Sequence, residues 1–183
     1  MYNKTLRQSA VLYNTVIVTF GVALLYLSTI ATPTSFRGIP ITLQTICVIF
    51  ISLYYTPYQA VSTLALYLFS RLVGVPTVPG ISFGLTAFIK PTGGYLIGML
   101  VGTCMVSYLR TRFKARSSLS LVIYSLTCLT AIYAFGLLHL TYCLHSFDKA
   151  VAVGLVPFIV PETYKMIILC SVIVAMESSK RKK

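Results

Sequence analysis

Apolar residues run along this chain in long blocks rather than in alternation. Five blocks cover residues 10–31, 41–55, 58–73, 91–109 and 119–140. A sixth apolar region, 150–176, is interrupted by Pro157 and Pro161. A helix needs about 20 apolar residues to cross a bilayer, so the pattern predicts six transmembrane helices. The second block is short enough to share the bilayer with a dipping loop. The last region reads as a short element, a break, and a helix starting at Pro161, because a proline in a first helical turn gives up an N–H that had no partner anyway. Between the blocks lie a Pro-, Ser- and Thr-containing loop at 32–40, a tight Thr56-Pro57 turn and a Gly- and Pro-rich loop at 74–90. The expected fold is an all-α integral membrane protein, one transmembrane domain over 1–183 with no separate soluble part.

Composition supports this reading. Of the 183 residues, 57% are hydrophobic and only 10% charged, where a soluble domain carries about 25%. The net charge of +12 could suggest nucleic acid, but its placement argues otherwise. Lys4 and Arg7 precede the first block, Arg110, Arg112, Lys114 and Arg116 sit between two blocks, and Lys180, Arg181, Lys182 and Lys183 end the chain. Such clusters beside apolar segments face the cytoplasm and anionic lipid, and they form no continuous basic face with interleaved aromatics. With six spans and both termini cytoplasmic, ten basic residues fall inside. Five fall on the other side: Arg37, Arg71, Lys90, Lys149 and Lys165. The expected location is the cell membrane. The first block is too long for a signal-peptide core and further spans follow it. The five cysteines show no metal spacing and read as small buried hydrophobes.

That topology puts 32–40, 74–90 and the 157–165 break on one outer side. Irregular backbone at membrane depth is tolerated where protein buries it or it lines a cavity, so the three pieces predict a lidded pocket. No internal repeat is visible, which argues against a symmetric carrier.

The chemistry concentrates near the C-terminus. Only three acids exist, Asp148, Glu162 and Glu177. Glu162 and Lys165 share a helix face at i,i+3. They read either as a salt bridge pinning the helix or as a pair that binds a ligand with donor and acceptor groups; ionisable groups at membrane depth are costly and usually mark a substrate path. Thr42 and Gln44 supply a polar wall or an interhelical hydrogen bond. Tyr95 is an interfacial anchor or a pocket aromatic. Gly94, Gly98 and Gly102 form a stripe for close helix packing, internally or in a homodimer. Gly80-Ile81-Ser82-Phe83-Gly84 matches the G-x-S-x-G of serine hydrolases, with only His139 and His145 as bases; Ser82 otherwise reads as a hydroxyl lining the pocket. There is no phosphate-loop motif, no H-E-x-x-H and no metal cluster in the sequence.

Taken in order, Pro40-Ile-Thr-Leu-Gln-Thr45, Leu66-Tyr67-Leu68, Gly74-Val75-Pro76, Pro91-Thr-Gly-Gly-Tyr-Leu96, and Pro157-Phe158 with an acid at 162 and a lysine at 165 resemble the BioY family. These are biotin-specific substrate-capture (S) components of energy-coupling factor (ECF) transporters. The resemblance implies six helices, both termini inside, and a biotin pocket beneath the loop between the first two spans. It implies Glu162 for the ureido N–H groups, Lys165 for the ureido oxygen or the tail carboxylate, and a polar contact near Ser82. It implies a transmembrane coupling protein and ATP-binding cassette ATPases as partners, with no cofactor and no reaction on biotin. The chain departs from the family pattern at Glu162 (usually aspartate), and at Pro161 and Lys90 (usually glycine). In the first helix Gly21 is followed by Leu25, where the family often places a second small residue. The alternatives are a stand-alone carrier for biotin or a related acid and, more distantly, an intramembrane serine hydrolase.

Overall fold

The computed structural model describes residues 2–30, 35–36, 39–40, 42–75, 84–114 and 117–181, with the backbone alone at 2–7, 30, 35–36, 39–40 and 177–181. In chain order the elements are α1 (Tyr2–Ile30), β1 (Ser35–Phe36), β2 (Ile39–Pro40), α2 (Gln44–Tyr54), α3 (Pro57–Leu72), α4 (Thr86–Ile89), α5 (Gly93–Phe113), α6 (Ser118–Leu144), α7 (Phe147–Gly154) and α8 (Val156–Arg181). Apart from one antiparallel ladder of two-residue strands, Ser35 opposite Pro40 and Phe36 opposite Ile39, every described element is a helix. Three segments are long and apolar enough to cross a membrane: Gln8–Thr29, Ser118–Leu144 and Val156–Met176. The chain is an integral membrane protein.

The apolar blocks became helices, with informative differences at their ends. α1 starts well before residue 10 because Lys4, Arg7 and Gln8 are good helix formers outside any apolar block. α2 is only 11 residues long, about 16 Å at 1.5 Å per residue. The predicted break between Pro157 and Pro161 is absent. The chain breaks instead at Leu155, between α7 and α8, and α8 runs on through Pro161. Pro157 takes the first-turn place expected for Pro161, and the interior proline gives up one backbone hydrogen bond without ending the helix. Part of the predicted 74–90 loop is helical, as α4.

The turn between α2 and α3 follows local chemistry. The Thr56 hydroxyl accepts from the Gln59 N–H while the Gln59 side chain accepts from the Thr56 N–H, a reciprocal cap with Pro57 opening the helix. Arg110 of α5 closes the end of α2: its Nη1 donates to the carbonyls of Ser52 at 2.8 Å and Tyr55 at 2.9 Å. A cation there faces the negative end of the helix dipole. Replacing it, Arg110→Met, is expected to lower stability by about 1–2 kcal/mol, read as a lower thermal midpoint in detergent; an unchanged midpoint would show that the contact contributes nothing.

α5 is the central helix, packed on α2, α3 and α6. Gly94, Gly98 and Gly102 all face α6. A Cβ at Gly98 would lie 2.8 Å from the Ile132 Cα, and one at Gly102 3.0 Å from the Cys128 carbonyl oxygen. At Gly94 it would overlap the Phe135 carbonyl and His139. The stripe is therefore filled by α6 of the same chain, the internal alternative of the two expected. On α1, Gly21 lies against Thr63 of α3, and Leu25 is fully buried.

Two cations counted above as outer-side charges are interior groups. Arg71 is 4% exposed and Lys165 8%. A charge packed inside the protein reports on local chemistry and not on which side of a bilayer a loop lies.

Candidate functional site

The acid and base near the C-terminus meet inside the protein. Glu162 and Lys165, one helical turn apart on α8, form an ion pair of 2.6 Å between Lys165 Nζ and Glu162 Oε1. Both are buried. The stretch ahead of α2 completes their surroundings. The Thr45 hydroxyl donates to the Glu162 carboxylate at 3.0 Å, and Lys165 donates to the Thr42 carbonyl at 2.6 Å and to Thr45 Oγ1 at 3.4 Å. An ammonium has three protons, and these three contacts use them all. Lys165 thus satisfies non-helical backbone at Thr42, as membrane proteins require. A carboxylate has about four acceptor sites, so Glu162 keeps capacity for further donors.

Beside Glu162 lies a cavity of about 70 Å³. Thr42, Gln44, Thr45, Thr92 and Glu162 give its polar wall; Tyr95, Tyr133 and Phe158 give the aromatic one. Lys165 stands behind Glu162 and does not line it. Tyr95 is a cavity aromatic and not an interfacial anchor: its hydroxyl donates to the Gly154 carbonyl at 2.8 Å, and its ring meets Tyr133 edge to face at 5.7 Å. Across Tyr133, Phe158 and Glu162 an apolar groove of about 450 Å³ lies between α6 and α8.

Thr42 and Gln44 lie beside one another at the start of α2 and not on a strand. Thr42 precedes α2, and its hydroxyl accepts from the N–H of Gln44, the first helical residue, at 3.3 Å. The Gln44 Nε2 donates to the Tyr67 hydroxyl at 2.8 Å, and that hydroxyl also accepts from Arg71 Nη1 at 2.9 Å. The Arg71 guanidinium carbon lies 5.8 Å from the Tyr67 ring centroid.

Of the six residues singled out in the sequence, Glu162, Gln44, Thr42 and Tyr95 come together around the cavity, with Lys165 directly behind. Ser82 lies outside the described residues. Of the two histidines available to a hydrolase, His139 has its Nε2 within 3.3 Å of the Ile89 carbonyl and 3.1 Å of the Lys90 carbonyl, and His145 ends α6 in a left-handed conformation. Among the described residues no His, Cys, Asp or Glu group could hold a metal ion. Sequence reading passed over Thr45, Thr92 and Tyr133. Thr45 and Thr92 lie inside the motifs at 40–45 and 91–96; for Tyr133 the signal was an amphipathic ring in the middle of an apolar block.

Helices around a small cavity, charged on one wall and aromatic on the other, define a helical membrane protein with a polar site in its interior. The fold is that of an S-component: the crystal structure of the S-component for biotin from an ECF-type ABC transporter matches with a TM-score of 0.74 at 20% identity, covering 97% of this chain and 94% of that one. The chain belongs to the BioY family, whose model matches residues 3–182. Similar relatives include a probable biotin transporter BioY of Pyrococcus horikoshii, 31% identical over 72% of this chain and 76% of its own. The biotin transporter BioY of Thermotoga maritima is 29% identical over 71% and 76%. Biotin transporter BioY2 of Lactococcus lactis is 26% identical over 88% of each chain.

Proposed function

We propose that this chain is the biotin-capture subunit of an ECF-type transporter, a single substrate-binding domain over 1–183 in the cell membrane. Six helices, α1, α2, α3, α5, α6 and α8, form the transmembrane bundle, the short α2 sharing its passage with the chain that leads into it, with both ends cytoplasmic and the cavity toward the outer face. It is not an enzyme and needs no cofactor. Separate partners, a transmembrane coupling protein and ATPases, energise uptake. The observation that carries this reading is Glu162: a buried carboxylate on a cavity wall, held from behind by Lys165 and with acceptor capacity left over.

The ureido ring of biotin offers two N–H donors to Glu162, and the aromatic wall of Tyr95, Tyr133 and Phe158 suits its apolar body. Gln44, Thr42 and Ser82 are the further polar contacts. Small-molecule pockets measure about 300–1,000 Å³, so at about 70 Å³ the walls must part to admit this guest. Calorimetric titration of the purified protein with biotin, desthiobiotin and lipoate tests the reading. Biotin is expected to bind most tightly; no heat with biotin, or a preference for lipoate, would overturn it.

One observation favours a stand-alone carrier. The exposed face of α1 presents Val11, Leu12, Tyr13, Val16, Phe20 and Leu27, bulky side chains where a helix docking closely on a coupling protein would present small ones. Uptake of labelled biotin by cells expressing this chain with and without the ATPases separates the two. Uptake that persists without them would remove obligatory coupling.

A further inference from the structure

Biotin carries a carboxylate on its tail as well as a ureido ring, and an anion beside Glu162 needs a cation to hold it. Lys165 is poorly placed for this, because its three protons are taken by Glu162, Thr42 and Thr45, and Glu162 stands between it and the cavity. Among the described residues the other buried cation is Arg71. It lies on α3, one turn from Tyr67, and both side chains are buried. One N–H of its guanidinium donates to the Tyr67 hydroxyl, and Tyr67 meets the amide of Gln44, which lines the cavity. The positive charge thus stands two hydrogen bonds behind the cavity wall, on the Gln44 side and not on the Lys165 side.

Burial decides how far this charge acts. A guanidinium stays protonated at any physiological pH. Inside protein its field is screened far less than at the surface. Removing such a group from water is costly, and a buried ionisable group in a membrane protein is by default a sign of function.

We infer that Arg71, acting through Tyr67 and Gln44, is the positioning and electrostatic residue that selects an anionic ligand. The site has two ends: Glu162 accepts the N–H groups of the ring, and the Gln44 end, biased by Arg71, receives the carboxylate. The ligand class is a small acid whose other end carries paired N–H donors. This rests on the biotin reading above and adds which cation serves which end of the guest.

The test is a ratio of affinities. Biotin and its neutral primary amide, biotinamide, are titrated into the full-length protein, wild type and Arg71→Gln. The wild type is expected to prefer biotin by about tenfold or more, the scale of a single charge several ångströms away at the effective dielectric of a protein interior. Arg71→Gln is expected to bring the ratio close to one while leaving biotinamide affinity within about threefold of wild type. Tyr67→Phe, which removes one oxygen and keeps the guanidinium, lowers the ratio in the same direction, and it decides the matter if Arg71→Gln does not fold. General structural damage would weaken both ligands together and leave the ratio unchanged. A wild type that binds both ligands equally, or an unchanged ratio in the variants that fold, overturns the role of Arg71 alone. A wild type that binds neither ligand overturns the biotin reading itself.

Discussion

Glu162→Ala and Lys165→Ala will each weaken biotin binding by about 2–5 kcal/mol, because truncating one member of a buried, hydrogen-bonded charge pair leaves the other charge without compensation. That is a loss of about 30-fold or more in affinity at 1.4 kcal/mol per factor of ten. The two variants reach this loss by different routes. Glu162 lines the cavity and has acceptor capacity to give, so its removal deletes a direct contact. Lys165 touches Glu162, the Thr42 carbonyl and Thr45, so its removal leaves a buried carboxylate and an unsatisfied carbonyl at the start of α2. Breaking a buried pair in this way costs about 3–5 kcal/mol of folding stability. Lys165→Ala should therefore also lower the thermal midpoint in the absence of ligand. Calorimetry with both variants checks the binding claim; affinity close to wild type in both would remove Glu162 and Lys165 from the site.

Alanine substitutions along the α5 stripe should destabilise in the order Gly94, Gly98, Gly102. In a helix, Gly→Ala normally stabilises by about 1 kcal/mol. Here the added methyl meets the backbone of α6, which cannot turn aside as a flexible side chain could. At Gly94 it overlaps the Phe135 carbonyl; at Gly98 and Gly102 the nearest atoms are at 2.8 and 3.0 Å. Overpacking costs about 1–3 kcal/mol and occasionally more. Gly94→Ala should lose about 3 kcal/mol or fail to fold, while at Gly102 the two effects nearly cancel. Thermal unfolding in a single detergent measures the series. A Gly94→Ala protein that melts with the wild type would mean that α5 and α6 are not in contact at that turn.

The helices were legible in the chain because hydropathy alone places most apolar blocks, and the blocks found their helices to within a few residues at most ends. The misreadings have physical causes. Hydropathy stops at the last apolar residue, whereas helical hydrogen bonding continues through Lys4, Arg7 and Gln8 of α1. Two prolines four residues apart looked like a break, but only the first falls in an opening turn, and a long apolar helix tolerates the second. Glu162 stood out as an acid inside an apolar block. What the sequence could not place is what the cations touch. Arg110 read as a topology signal and caps α2, Arg71 read as an outer-side charge and bonds Tyr67, and Lys165 read as a cavity group and holds the backbone at Thr42. The partners of Arg110 and Lys165 lie dozens of residues away, and spacing along a chain carries no record of them; Tyr67 stands one turn before Arg71, but nothing in the apolar pattern marks the two as a pair.

The tight seam between α5 and α6 also divides the cavity into a stiff side and a looser one. Helices whose backbones touch cannot slide or tilt past one another without steric overlap, so Tyr95 and Tyr133 sit on a stiff mould that fixes one wall of the cavity. The polar contacts at Thr42, Gln44 and Glu162 belong to α2, its approach and α8, which share no comparable weld with that mould. Any parting of the cavity walls therefore falls to α2 and α8, while α5 and α6 stand still.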